Sequence, residues 1–574
     1  MIDLGIPPFI IFVLGAVLVP FLGKGRIRET FLVALAIFGL ASVAILKPQT
    51  GWIFPILPGV ELILLQADRL SLIMGYIFAM IGAAAIVYSI STVKEAGQYI
   101  CALLYMGSAL GAVFAGDFFT LYIFWEVMAF SSLGLIWYEG SRRARDAGMR
   151  YILFHLFGGG ALLAGIIIHY MNTGSIVVGP IEFGMGYLLL LIGIGVNTAF
   201  IPLHTWLPDS YPKATIAGAV FMSVYTTKTG VYVLARTFAG ADAVAYMGGV
   251  MVLYGVIFAL LQNDVRKLLS YHIVSQVGYM VAGIGIGTYI GVNGGIAHVF
   301  NHILYKALLF MCMGAVIFRT GKNNLTELGG LAKKMPVTMI TCVIAALSIS
   351  GVVGFNGYVS KGMVIQAGVL DEMRFLVLLL MLGSVGTLLS FLKLVYFAFF
   401  IPNEEIEAKE APLSMLVPMC VTAFLCFALG VYPRPLYEIL PYREEALYYH
   451  AYEAGHTFGV LELLLMTVFL FFMLGFFRPH DTITYDLDYL YRKAGRGFIW
   501  FCETPLMNFA VAIEQSVLRI ADYFARFGAL EEEESQALEE PVVSVSLGTA
   551  VLLVLLFFAL YLIVMLIHGW LMRP

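Results

Sequence analysis

Three ionisable residues share one face of an apolar segment that runs from Gly294 to Gly314. His298, His302 and Lys306 stand four residues apart, so on a helix they occupy a face about 80° wide. An ionisable group at membrane depth costs about 2.5–3.5 kcal/mol by insertion scales, and such groups are usually functional. The alternative is a pair of satisfied core histidines and a lysine that reaches the interface. Because three such residues share one face, we favour a proton-carrying site.

Four further ionisable residues lie inside apolar segments. Glu126 and Lys228 each lie near the middle of one. A buried carboxylate favours its neutral form and a buried ammonium must pair or lose its proton, so Glu126 is the expected partner of Lys228. Lys361 follows a glycine-rich stretch, which favours a site over an anchor. Lys393 lies toward one end of its segment, where reaching the interface is an equal alternative.

These residue types favour protons as the transported ion. Lysine, histidine and glutamate side chains hold and release protons and form a relay if water links them, whereas Na⁺ needs several oxygen ligands in one place. Backbone oxygens at helix breaks keep Na⁺ open. The six cysteines include no CxxC pair, which argues against an iron–sulfur site or a disulfide framework. We expect no metal and no cofactor in this chain.

The composition predicts a membrane protein with many spans. Hydrophobic residues make up 61% of the 574 residues and charged residues only 12%, against about 25% charged in soluble domains. About sixteen apolar segments are long enough to count as spans. Lysine and arginine concentrate in alternate loops, which places those loops in the cytoplasm and both termini outside.

Two of the apolar segments are predicted to be broken. Residues 336–370 are too long for one straight helix and contain a glycine-rich stretch with Gly354 and Gly357. Broken helices are tolerated where they line a cavity or pack against protein. Prolines in NTAFIPLHTWLPDSY predict a second break before Lys228. The residues of that break are Pro202, His204 and Pro208.

An amphipathic segment lies between the last two spans, at about residues 482–540. Thr504 is a predicted N-cap and Pro505 the first helical residue. From Leu506 to Phe527 apolar residues recur at steps of three and four, with charged residues on the other side. We expect a helix on the cytoplasmic side that lies along the membrane or along other helices; a simple interfacial anchor is the alternative.

Six sequence stretches between about residues 100 and 400 carry a family resemblance. They are LYIFWEVMAF, PLHTWLPDSYP, TTKTGVYVLAR, NDVRKLLSYHIVSQVGYM, HVFNHILYKALLF and NGYVSKG. In them the chain resembles the antiporter-like, proton-pumping subunits of respiratory complex I, of membrane-bound hydrogenases and related complexes, and of Mrp-type sodium/proton antiporters. The resemblance implies two inverted repeats of five helices, each with a broken helix, around a hydrated charged path at the membrane mid-plane.

The resemblance also implies roles for the ionisable residues. Glu126 and Lys228 would serve the first half-channel, and Lys361 would be the exit-side lysine of the second. The central link would be formed by His298, His302 and Lys306. Lys393 falls where the second repeat would place a counterpart of Lys228. The amphipathic segment looks like the lateral helix of some family members, and is short here.

One position departs from the family pattern. The family usually has a lysine six residues before the leucine of PLHTWLP, and this chain has Asn197 there. Asparagine cannot carry a proton-linked charge. Either Lys228 takes over the role, or the first half-channel is altered or silent.

The predicted fold class is an all-α polytopic membrane protein with about 16 transmembrane helices, two inverted five-helix repeats, broken helices and a cytoplasmic-side amphipathic lateral helix. The predicted divisions follow the apolar segments. They are N-terminal transmembrane helices at 1–97, a first antiporter-like repeat at 98–240, a second at 241–402, peripheral transmembrane helices at 403–480, the lateral segment at 481–542 and a C-terminal transmembrane helix at 543–574.

The predicted function is translocation of protons, or sodium/proton antiport, by a membrane subunit of a multi-subunit redox-driven complex. The alternative is a structural subunit with impaired or no conduction. Expected partners are other antiporter-like membrane subunits, a peripheral redox arm, the lipid bilayer, protons and possible sodium ions, with no nucleic acid. We expect a multi-pass protein of a prokaryotic cell membrane. The sequence leaves the ion, the direction, the stoichiometry and the parent complex open.

Overall fold

The computed structural model describes residues 6–57, 60–474, 478–480 and 485–535 of the 574. The chain divides after Leu487 into two compact units, which are described separately. The C-terminal span predicted at 543–574 lies outside the described residues.

The first unit opens with helices α1 (Phe9–Leu18) and α2 (Arg26–Ala44), which are followed by an antiparallel hairpin, β1 (Gly51–Leu57) and β2 (Val60–Gln66). The expected all-α fold is therefore wrong at this hairpin, where aromatic and β-branched residues favour strands. Helix α3 (Arg69–Ser89) begins at a capping box, in which Asp68 and Ser71 satisfy each other's backbone N–H groups.

The centre of the first unit is a run of thirteen helices. They are α4 (Ala96–Phe114), α5 (Phe118–Trp137), α6 (Arg142–Thr173), α7 (Met185–Asn197), α8 (Trp206–Ser210), α9 (Ile216–Met222), α10 (Thr226–Thr237), α11 (Asp242–Leu260), α12 (Val265–Ile286), α13 (Tyr289–Thr320), α14 (Pro336–Ser350), α15 (Asn356–Leu370) and α16 (Arg374–Val395). A π-helical turn, Tyr396–Phe400, extends α16. Helix α13 lies at the centre of the first unit, since every residue from Gly291 to Val316 is buried.

Two parts of this run match each other at a constant separation. Helices α6 and α13 both have 32 residues, and their N-caps, Ser141 and Thr288, are 147 positions apart (288 − 141). The same separation relates the N-cap of α5 to that of α12, and the left-handed glycine after α6 to the one after α13. These pairs are Asp117 with Asp264 and Gly174 with Gly321. The regular separation is the mark of an internal repeat.

Three helix breaks interrupt the run. The break predicted within residues 336–370 is confirmed between α14 and α15, where Gly351 and Gly354 adopt φ of 76° and 92°, a left-handed region that glycine enters at little cost. The break predicted around Pro202 is confirmed between α7 and α8.

The apolar segment that holds Lys228, residues 213–238, is not one continuous helix. The span is divided into α9 and α10, and the ammonium of Lys228 bonds the freed carbonyl of Ser223 at 2.7 Å. A side-chain donor at this depth takes the place of the missing helical N–H.

Four helices complete the first unit: α17 (Leu413–Val431), α18 (Arg434–Ile439), α19 (Arg443–Leu447) and α20 (Ala454–Leu474). Ten described helices are long and apolar enough to cross a membrane, and three shorter apolar ones lie at Phe9–Phe21, Met185–Asn197 and Pro336–Ser350. The protein is therefore a multi-pass membrane protein, while the number of sixteen spans stays a prediction.

The second unit contains α21 (Asp488–Phe501) and α22 (Met507–Ser535), joined by the π-helical segment Cys502–Leu506. The expected helix start at Thr504 and Pro505 is wrong, because both residues lie inside this segment. A π turn tolerates a proline that lacks an N–H. The three elements follow one another without a break over 14, 5 and 29 residues. Their lateral role stays a prediction.

Candidate ion-translocation site

The three predicted residues of α13 are fully buried, at 0% exposure each. Nδ1 of His298 lies 3.0 Å from the hydroxyl of Ser360 on α15, and its Nε2 lies 3.3 Å from the hydroxyl of Tyr305. No described residue hydrogen-bonds either ring nitrogen of His302 or the ammonium of Lys306. The helical spacing therefore does bring the three groups to one buried face, as the sequence predicted.

Helix α12 adds a histidine that the sequence analysis passed over. His272 is fully buried, and its ring lies 4.7 Å from that of Phe391. The ammonium of Lys306 lies 5.7 Å from the same ring. The four-residue spacing between His272 and Gln276, both polar and both buried, was the available sequence signal. The α13 face is thus one part of a larger buried polar cluster.

Lys361 is held beside the break between α14 and α15. Its ammonium lies 4.8 Å from the ring centroid of Tyr279 and has no hydrogen-bond partner among the described side chains and backbone. Two asparagines tie the start of α15 to α13: Asn301 donates to the carbonyl of Asn356 at 2.8 Å, and the Asn356 amide lies 3.3 Å from Asn301 Oδ1. The break therefore places Lys361 against the α13 face.

A cavity of about 230 Å³ opens next to Lys361. Besides Lys361, the polar residues of its wall are Ser350, Tyr358, Ser384 and His456, and most of the other lining residues are glycine or apolar. The predicted break residues shape this region, since a Cβ at Gly357 would stand 1.8 Å from the carbonyl of Ser348. Only glycine permits the close approach of α14 and α15 here.

Lys228 and Glu126 do not form the expected ion pair. The Lys228 ammonium donates to Ser223, and the Oε1 atom of Glu126 has no hydrogen-bond partner within the described part of the chain. Glu126 instead lies against α6, where a Cβ at Gly159 would stand 1.9 Å from its Oε1. Lys228 lies within electrostatic range of His302 and Lys306. The structure thus groups Lys228 with α13 and Glu126 with α6.

Asn197, the altered position, ends α7 and is buried. Its Oδ1 lies 2.9 Å from Nδ1 of His155 on α6. His155 was missed by the sequence analysis because it is a single histidine in an apolar stretch. The His155 ring lies 4.2 Å from that of Tyr151 and 4.7 Å from that of Trp206. A titratable group therefore stands directly beside the position that Asn197 occupies.

The other residues of the first break join a segment far along the chain. Pro202 follows a cis peptide bond, and Pro208 is buried in α8. Nε2 of His204 lies 3.4 Å from the Asp486 carboxylate, which also accepts hydrogen bonds from Tyr254 and Tyr271. Asp486, in the segment after α20, had no local signal in the sequence. These contacts hold Asp486 against the first break.

Lys393 lies at the end of α11 rather than on the α13 face. Its ammonium donates to the carbonyls of Leu260 and Gln262 at 2.7 and 2.9 Å. These are the hydrogen bonds of a helix C-cap made by a side chain. Among the described residues no group of three or more His, Cys, Asp or Glu side chains could hold a metal ion.

Comparison with known proteins identifies the family. The model of the NADH:quinone oxidoreductase/Mrp antiporter transmembrane family matches residues 115–390. NADH-quinone oxidoreductase subunit N of Desulforudis audaxviator is 30% identical over 456 residues, which cover 70% of this chain and 90% of that protein. A Na⁺/H⁺ antiporter subunit of Alkalihalophilus pseudofirmus is 28% identical over 402 residues, which cover 66% of this chain and 82% of that protein.

The fold is also found in solved structures. A chain of the membrane-bound sulfane sulfur reductase, an archaeal respiratory membrane complex, superposes with a TM-score of 0.71 at 24% identity, and the match covers 99% of both chains. Sequence and fold agree with the resemblance read from the six motifs. The chain belongs to the family of antiporter-like membrane subunits found in Mrp antiporters and in complex I-type NADH:quinone oxidoreductases.

Proposed function

We propose that this chain translocates protons across a prokaryotic cell membrane, or exchanges them for Na⁺, as one subunit of a redox-driven complex. The observation that carries the proposal is the buried lysine set, Lys228, Lys306 and Lys361, around His302. No carboxylate lies within salt-bridge distance of any of the three in the described part of the chain.

A buried cluster of lysines without acids favours partial protonation. Each ammonium is costly at this depth, and like charges nearby disfavour one another. A proton that arrives at one lysine therefore lowers the affinity of its neighbours for another, which is the behaviour that a relay needs. The proposed relay comprises Glu126, Lys228, His298, His302, Lys306 and Lys361, whereas Lys393, the seventh residue predicted from the sequence, caps the end of α11 and lies outside this set.

The structural repeat supports the two half-channels. The 147-residue separation relates α5 and α6 to α12 and α13, and a broken helix follows each pair. We infer that the two halves are the inverted repeats that the family resemblance implies. Neighbouring antiporter-like subunits and a peripheral redox arm are the proposed partners, because the relatives are subunits of complexes.

The test is ion flux in native membrane vesicles that carry Lys306→Ala, energised by an imposed potassium diffusion potential. We expect proton uptake to fall at least tenfold, whereas Lys333→Ala, an exposed lysine in the loop before α14, leaves it unchanged. Wild-type flux in Lys306→Ala membranes that contain the intact complex would instead support a structural subunit without conduction.

A further inference from the structure

The 147-residue separation assigns a counterpart to each residue of the α13 face. His302 corresponds to His155, His298 to Tyr151 and Lys306 to Gly159. Both histidines are buried, at 0% and 1% exposure. The long helix of each half therefore carries a buried imidazole at the same position, fourteen residues after its N-cap (155 − 141 and 302 − 288).

Gly159 has no side chain, and the carboxylate of Glu126 occupies the space that a side chain would take there. Lys306 places an ammonium one turn after His302, whereas the carboxylate of Glu126 enters from α5 to the surface of Gly159, one turn after His155. Residues four apart lie on one helix face about 6 Å from each other. Each half thus pairs its imidazole with one ionisable head group, a lysine in the second and a glutamate in the first.

The His155 ring is oriented by one nitrogen and leaves the other available. Nδ1 is bonded to Asn197 Oδ1, which fixes Nδ1 as the N–H donor, because an amide oxygen can only accept. Nε2 is buried without a hydrogen-bond partner among the described residues. An oriented imidazole whose second nitrogen can accept a proton is the arrangement of a general base.

Polar groups continue from His155 toward Lys228. The hydroxyl of Tyr151, one turn before His155, lies 2.7 Å from that of Ser132 and close to the side chain of Thr226. Thr226 belongs to the first turn of α10, two residues before Lys228, and its hydroxyl lies 2.6 Å from that of Tyr105. The α7 end at Asn197 packs against Gly230 of the same helix.

We propose that His155 carries the proton between Glu126 and Lys228, a role that rests on the proposed translocation function. The Glu126 carboxyl gives its proton, through water, to Nε2 of His155, which leaves a carboxylate and an imidazolium. The imidazolium then returns to neutral as the proton passes to the amine of Lys228. Asn197 Oδ1 accepts from Nδ1–H throughout and stabilises the imidazolium.

Among the titratable groups around His155, Glu126 is the one suited to donate the proton. The acid on α5 is Glu126, which lies at Gly159, one turn along α6 from His155. Asn197 on α7 bonds Nδ1, and Tyr151 on the same helix as His155 places its ring 4.2 Å from the imidazole. Asp209 on α8 is already held by Arg150 at 2.6 Å. Tyr211, in the turn after α8, donates its hydroxyl to the carbonyl of Met222.

The test compares His155→Gln with His169→Gln, a histidine on the same helix that lies outside the cluster. In energised native vesicles we expect at least a tenfold loss of proton uptake for the first and less than a twofold change for the second. Exchanging the pair, His155→Asn with Asn197→His, should restore at least a third of the wild-type rate, because the imidazole stays between the same neighbours.

Isotope-edited infrared difference spectra of the complex with labelled histidine separate proton carriage from a structural role. A protonation band that is present in the wild type and in His169→Gln should vanish in His155→Gln and shift in the exchange variant. The shift in the exchange variant decides the question even if His155→Gln does not assemble. A band that is unchanged in the exchange variant, or wild-type uptake in His155→Gln, would overturn the proposal.

Failure of this inference is distinct from failure of the proposed function. If Lys306→Ala abolishes uptake while His155→Gln does not, the chain conducts and His155 is not a carrier. If neither variant alters uptake, translocation itself is refuted.

Discussion

Helices α6 and α13 have the same length, a hydroxyl N-cap and a glycine at the C-cap, yet their surroundings differ. Every side chain in the middle of α13 is buried, whereas α6 exposes apolar residues such as Leu153 and Phe157, at 57% and 58%. Glu126 is itself only half-buried, beside exposed Ile123 and Phe130 of α5. One repeat unit thus supplies an internal site in the second half and a site near the surface of the subunit in the first.

The difference shows how one helical scaffold can supply two different positions of the proposed relay. A lysine enclosed on all sides, as Lys306 is, exchanges protons only with groups of its own chain. A glutamate that borders an exposed apolar face can also exchange with a group outside the chain, and such faces mark contacts with protein or lipid. Under the proposed function, the first half is therefore the expected entry for a proton and the second half passes it on.

The largest loss of proton uptake that tests the difference between the two halves is expected when the space at Gly159 is filled. In Gly159→Ala the new methyl group collides with the Glu126 carboxylate, and overpacking of this kind costs about 1–3 kcal/mol. We expect proton uptake in native vesicles to fall about tenfold or more. Gly160→Ala is the matched control, because a Cβ at Gly160 meets nothing within 4 Å. Equal uptake rates in the two variants would show that the contact of Glu126 with α6 is not needed for transport.

The asparagine pair at the second break should give the next effect. Asn301→Leu removes the hydrogen bond to the Asn356 carbonyl and also the acceptor of the buried Asn356 side-chain amide, and a buried polar group without its partner costs about 1–3 kcal/mol. We expect a lower melting temperature of the purified complex and a several-fold slower uptake, because Lys361 loses its fixed position. The control variant for Asn301→Leu is Asn172→Ala, which replaces an exposed asparagine on α6. Unchanged melting of Asn301→Leu would show that the second break needs no such tie.

Asp486 contacts His204 in the break between α7 and α8, so its replacement tests that break and not the one between α14 and α15. Burial alone raises the pKa of the Asp486 carboxyl, but His204, Tyr254 and Tyr271 outweigh it and lower the pKa to about 2. A carboxyl with a lowered pKa stabilises the fold at neutral pH, and this contribution is lost as the pH falls from about 4 toward 2.

Asp486→Asn should therefore lower the melting temperature by about 2 °C at pH 7, since a large protein shifts little for each kcal/mol. The deficit relative to the wild type should shrink as the pH is lowered to 4 and below, and differential scanning calorimetry of the purified complex measures it. A deficit of constant size at all pH values would assign the effect to packing rather than to the charge.

The sequence predicted the groups that share one helix and missed those that meet across helices. The face of His298, His302 and Lys306 follows from helical spacing alone, and the break after Ser350 follows from its glycines. The partner of Lys228 could not be predicted, because a backbone carbonyl carries no sequence signal. The contacts of His155 with Asn197 and of His204 with Asp486 join residues 42 and 282 positions apart (197 − 155 and 486 − 204).

The smallest effect on transport is expected when Lys393 is replaced. Lys393 and Lys228 both bond backbone carbonyls, so the two lysines can be compared directly. Lys228 bonds Ser223 inside a broken span and lies near His302, whereas Lys393 bonds Leu260 at a helix end. Lys393→Met removes that cap, which costs about 1 kcal/mol, so the complex should melt slightly earlier.

Ion uptake per assembled complex should stay within about twofold in Lys393→Met, while Lys228→Met should lose at least tenfold under the same conditions. Lys393→Arg is the control for the cap, since a guanidinium keeps both the charge and the donors. If Lys393→Met matched Lys228→Met in lost uptake while Lys393→Arg melted normally, Lys393 would be a full member of the relay. Both lysines that bond backbone carbonyls would then carry protons, Lys228 inside a broken span and Lys393 at the end of α11.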